Sequence, residues 1–211
     1  MIIIKVSERV SFYSHFLGFV LAVIGTVCLI YIARDSILNI VTSTIYGGSI
    51  IFLFLASSLY HAFKKEEDGV SIWRKLDHFA IFVMIAGTYT PISMIYLTGY
   101  WRWIIIAIQW FLVIAGFFFK FFYLKAPRSL YTVIYLIMGW VGLIPIREFF
   151  RNMPLSAEIY LLTGGVLFTV GAVFYILKRP RNRLIGFHEI FHFFILLGAI
   201  SHYLMVLTAV K

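Results

Sequence analysis

A single cysteine, Cys28, stands among 211 residues. That excludes an internal disulfide framework and any zinc site built from several thiolates. Charge is also scarce: Asp, Glu, Lys and Arg make up 13% of the chain, against about 25% in ordinary soluble domains. Acids are the rarer sign, 9 against 18 bases. What fills the space is apolar, with 62% hydrophobic and 19% aromatic residues. A globule of this length lacks the interior to hide so much apolar surface from water. The balance excludes a soluble enzyme, a disordered tail and a nucleic-acid module. A net charge of +9 would suggest nucleic acid in a soluble protein, but here it is first a membrane-orientation signal. No internal repeat is evident, so a transporter of inverted halves has no support.

The charges are absent from seven windows: 11–33, 36–60, 79–101, 103–119, 129–146, 159–177 and 190–210. Each has the roughly 17–25 residues that a spanning helix needs. The runs are continuous, as in Ile50-Ile51-Phe52-Leu53-Phe54-Leu55, rather than alternating as barrel strands require. The expectation is an all-α fold, a seven-transmembrane-helix bundle forming one integral membrane domain over 1–211. Its helices should lie near 11–33, 36–61, 77–98, 101–120, 129–147, 157–178 and 187–210. The first window is too long for a signal-peptide core and reads as a retained helix. Gly47-Gly48, Gly139, Gly142 and Gly164-Gly165 suit close helix packing. Pro91 and Pro145 are candidate kinks.

With seven spans the termini lie on opposite sides. The side of the N-terminus carries Lys5, Arg9, Lys64, Lys65, Arg74, Lys75, Lys120, Lys125, Arg128, Lys178, Arg179, Arg181 and Arg183, which is 13. The other side carries Arg34, Arg102, Arg147, Arg151 and Lys211, which is 5. The positive-inside rule then puts the N-terminus in the cytoplasm and the C-terminus outside, for a multi-pass protein of the plasma (inner) membrane. The basic side is also suited to anionic lipid headgroups.

Ionisable groups are costly in hydrocarbon, so the histidines are functional candidates. His61 ends the second span, Asp77 opens the third, and His188 and His192 open the seventh. All four fall near one end of their helices. His188 and His192 are four apart and share a helix face, as do Ser57 and His61. Three histidines from two helices suit a catalytic zinc site with an open position for water. Asp77 is then either a fourth ligand or the group that holds the water as general base. The bland alternatives are interfacial hydrogen-bonded histidines, a serine bonded to its own helix, and Asp77 as a helix cap.

His188-Glu189-Ile190-Phe191-His192 also fits the HExxH pattern, in which the glutamate is the base. His202 is too far along the same helix, roughly 15 Å, to complete such a site, so His61 is needed either way. Glu189 stands as runner-up base to Asp77. His15 and His78 are candidates for supporting contacts, and His202 for a buried neutral role. Since imidazoles must be neutral to bind a metal, acid should release it.

The chain resembles the hemolysin III proteins, a bacterial branch of the progestin and adiponectin receptor family. The resemblance rests on Ser57-Ser58-Leu59-Tyr60-His61, on Leu76-Asp77-His78-Phe79-Ala80-Ile81 running into Ala86-Gly87-Thr88-Tyr89-Thr90-Pro91, and on His188-Glu189-Ile190-Phe191-His192. The family is also similar to alkaline ceramidases, within a wider group of membrane hydrolases. The resemblance implies seven helices, a cytoplasmic N-terminus and zinc near the cytoplasmic face. It implies His61, His188 and His192 as zinc ligands, Asp77 as the acid at the zinc-held water and Ser57 as the serine beside it. It implies no G protein as partner.

The activity expected on these grounds is zinc-dependent hydrolysis of a membrane lipid amide or ester. The alternative is a non-enzymatic receptor or regulator of membrane state with a structural zinc. A pore-forming cytolysin ranks below both, because the fourth, fifth and sixth spans offer only Gln109 and scattered hydroxyls to line a path. Membrane lipids are the expected partners, and no nucleic acid is.

Overall fold

The computed structural model describes residues 4–65, 69–123, 127–182 and 185–211. Lys125 and Arg183, two of the basic residues counted above, lie outside the described residues. A short 3-10 turn, Val6–Glu8, leads into α1 (Arg9–Ile32). Then follow α2 (Ile37–Phe63), α3 (Ile72–Tyr96), α4 (Gly99–Phe122), α5 (Arg128–Trp140), α6 (Ile146–Asn152), α7 (Leu155–Leu177) and α8 (Phe187–Val210). The described residues contain helices and turns only.

Local chemistry sets several of the ends. The Ser36 hydroxyl accepts the Asn39 N–H at 3.3 Å and caps α2, and Ser71 caps α3 through Arg74 N at 3.2 Å. Gly99 takes a φ of 54°, which a side chain would resist, in the tight turn from α3 to α4. Six helices are long and apolar enough to cross a membrane, and a seventh crossing is made if a bent pair counts as one span. The chain is an all-α multi-pass membrane protein with six to seven spans.

The fifth span departs from expectation. A continuous helix over 129–147 is not what forms. The helix stops at Trp140, tightens to a 3-10 turn over Val141–Leu143, and resumes as α6 at 56° to the first part. Pro145 has no N–H to continue the ladder. Tyr89 from α3 latches the break: its hydroxyl donates to Gly139 O at 2.6 Å and accepts from Gly142 N at 2.8 Å. Pro91, by contrast, sits buried inside α3 without interrupting it.

The main core gathers Leu29, Tyr46, Leu53, Phe54, Ala80, Met84, Ala199 and Met205 between α1, α2, α3 and α8. Many large apolar side chains point outward instead, among them Val27, Phe111, Ile137 and Ile200. In water that would be a defect; against lipid tails it is the required surface. Small residues let the helices close up. A Cβ on Gly87 would collide with Ser49 of α2, and one on Gly164 with His202 of α8.

Candidate metal centre

The last turns of α2 and the first turns of α3 and α8 meet at one end of the bundle. His61 lies two residues before the end of α2, and His188 is the second residue of α8. Their Nε2 atoms stand 3.3 Å apart. His192, one turn on from His188, brings its ring to 4.5 Å from that of His188 and 4.9 Å from that of His61, centre to centre. Each imidazole offers one ligand nitrogen, and the three nitrogens lie within 4.8 Å of one another. His61 and His192 are buried and His188 is partly exposed. This cluster is able to coordinate a metal ion.

The cluster opens on a cavity of about 650 Å³ that runs between α2, α3, α5, α7 and α8. Near the imidazoles the walls are polar: Ser57, Asp77, His188 and His192, with Lys64 and Arg74 also in the lining. Deeper in they become apolar, with Leu53, Ile81, Met84, Leu136 and Ile195. The far end reaches Thr88, Tyr89 and His202. From His188 to His202 is about 21 Å along a helix at 1.5 Å per residue. Ser57 is buried, and its side chain is within hydrogen-bonding reach of Asp77. The Asp77 carboxylate also lies within electrostatic range of His61, Lys120 and Arg74. All five residues singled out in the sequence therefore converge at one end of the bundle.

The other candidates have defined places. Glu189 turns back on its own helix: Oε2 accepts Gly186 N at 2.8 Å at the start of α8, and Oε1 accepts the Ser11 hydroxyl at 3.1 Å. With both oxygens so occupied, it is less available as a base than Asp77. His15 lies buried with its ring stacked on His192, centroids 3.7 Å apart and planes 16° apart. His78 meets the buried Lys120 Nζ through Nδ1 at 3.2 Å, and that Nζ sits 2.9 Å from the centre of the Tyr131 ring. His202 bonds Leu161 O through Nε2 at 3.3 Å.

One contact was not anticipated. Glu8, in the turn before α1, is buried and accepts His61 Nδ1 at 2.7 Å through Oε2 and Lys64 Nζ at 2.8 Å through Oε1. The only sequence cue is that Glu8 precedes His15 by seven residues, two helical turns on one face.

The profile of the family described as "Haemolysin-III related" matches residues 4–203. A hemolysin-3 homolog of Bacillus subtilis is 36% identical over 205 residues, covering 95% of this chain and 92% of its own length. Hemolysin-3 of Bacillus cereus is 34% identical over 203 residues, covering 95% and 90%. Heptahelical transmembrane protein 1 of Arabidopsis thaliana is 27% identical over 232 residues, covering 93% and 68%.

Proposed function

The chain belongs to the haemolysin-III-related family, with homology to eukaryotic receptors of the adiponectin type, and from that premise we propose that it is a zinc-dependent hydrolase of a membrane lipid amide or ester. One observation carries the reading. Three imidazoles able to share an ion stand beside a long cavity that His188 and His192 line, with Asp77 and Ser57 also among its lining residues.

The residues fit zinc. Two nitrogens bound tetrahedrally at 2.0–2.1 Å stand roughly 3.3 Å apart, and His61 and His188 Nε2 are separated by 3.3 Å. Nδ1 of His192 is buried and without a hydrogen-bond partner. A donor set of three imidazoles suits a borderline-soft ion such as zinc. His61, His188 and His192 would hold it. A zinc ion there would supply a Lewis acid and a water more readily ionised near neutral pH.

The rest is done by the chain's own residues. Asp77 takes the proton of the attacking water at a carboxylate oxygen and returns it to the amine or alcohol that leaves as the acyl C–N or C–O bond breaks. Ser57 donates its one hydroxyl proton to that carboxylate; once Asp77 holds the water's proton, that hydroxyl is released to turn toward the oxyanion that develops at the scissile carbonyl. The apolar walls beyond Leu53 and Met84 hold an acyl chain and keep bulk water from the reacting bond. The 13-to-5 distribution of basic residues supports a cytoplasmic N-terminus and a site near the cytoplasmic face of the inner membrane.

Purified protein given ceramides and other acyl lipids tests the reading. Ser57→Ala and Asp77→Ala should each cut turnover at least a hundredfold while leaving the protein folded and loaded. Undiminished turnover in both variants, or no zinc-dependent turnover by the unaltered chain, would count against it. A second reading, a receptor or regulator with a structural metal, is favoured by the way the three imidazoles tie the end of α2 to the start of α8. It predicts instead that Ser57→Ala is silent and His188→Ala loosens the fold.

A further inference from the structure

We propose that Glu8 is a positioning residue of the metal centre: it fixes His61 in the tautomer whose Nε2 is bare and turned to the ion. The inference rests on the metal-site reading above. An ionised carboxylate can only accept hydrogen bonds. The 2.7 Å contact between Glu8 Oε2 and His61 Nδ1 therefore places a proton on Nδ1. A neutral imidazole carries one N–H, so Nε2 keeps its lone pair. That is the nitrogen that faces His188 Nε2 across 3.3 Å. The ammonium of Lys64, 2.8 Å from the other oxygen, keeps Glu8 a carboxylate in a buried place.

The contact spans 53 residues of sequence, so it is made by the fold and not by a local turn. Among the described residues no other carboxylate is bonded to His61, His188 or His192. The segment that carries Glu8 is tied at both ends of the site. Lys5 Nζ donates to the Lys65 carbonyl beyond the end of α2, and Ser11 bonds Glu189 at the start of α8. The turn ahead of the first span thus straps the two helices that bring the imidazoles together. Carboxylates bonded to ligand histidines raise their basicity and hold the ring, and their loss typically costs 10–100-fold in metal affinity.

The test uses the full chain in detergent, with two readouts. The first is the ¹⁵N spectrum of labelled histidine in metal-free protein, which reports the His61 tautomer. The second is zinc affinity by competition with a chelator. Unaltered protein should show His61 protonated at Nδ1. Glu8→Ala should mix the tautomers and weaken zinc by about 10–100-fold. Glu8→Gln can still accept from Nδ1 through its amide oxygen, so it should keep the tautomer and lose affinity only several-fold. If Glu8→Ala does not fold, Glu8→Gln decides alone. Zinc bound by unaltered protein with equal affinity in both Glu8 variants overturns the positioning role and leaves the metal site standing. No zinc bound by unaltered protein overturns both.

Discussion

Ser57 pairs with His61, and His188 with His192, on spacing alone, because helical residues four apart share one face. Their depth was also readable, since each pair sits where charge-free sequence gives way to basic residues. What each side chain does there was less so. Glu189 occupies the base position of an HExxH pattern, yet both its oxygens are held by Gly186 N and the Ser11 hydroxyl. A helix cap and a catalytic base look alike in sequence because both want an acid in the first turn. Glu8 gave no signal strong enough to act on, because its partner His61 is distant in sequence and no spacing rule links a turn before α1 to the end of α2. His15 was a candidate only for a supporting contact. Its ring in fact lies flat on His192, which restricts how that imidazole can turn.

Among the helices, the charge-free windows found the spans because burying an unpaired charge in hydrocarbon is costly. The fifth window shows where that argument stops. It was long enough and apolar enough, and composition cannot distinguish a straight helix from two short ones. Gly139, Gly142 and Pro145 were visible, but the decisive group is on another helix. The Tyr89 hydroxyl satisfies one carbonyl and one N–H that the break sets free. Non-helical backbone at this depth survives only where protein covers it. Tyr89→Phe removes both bonds at little change in shape. Both bonds are only partly buried, so losing the pair should cost about 1–3 kcal/mol in total. Thermal unfolding in detergent should show a melting temperature lowered by several degrees, and an unchanged one would mean that the latch contributes nothing.

For the molecule as a whole, the excess of apolar residues and the positive charge have separate explanations. The apolar surface faces lipid around the outside of the bundle, while the charges gather at the helix ends. If the basic excess marks the cytoplasmic side, then Arg181→Cys in a Cys28→Ser background should react with an impermeant maleimide only after cells are opened. Lys211→Cys should react on intact cells. The reverse pattern would invert the topology and move the three imidazoles to the outer face. Both positions are exposed, so access rather than burial decides the result. Under either topology, everything proposed for the cavity depends on the three imidazoles holding an ion. Metal content, measured side by side on the purified unaltered protein and on the His188→Ala/His192→Ala variant, addresses that directly. The expected result is about one zinc per chain in the first and none in the second; equal metal in both would contradict it.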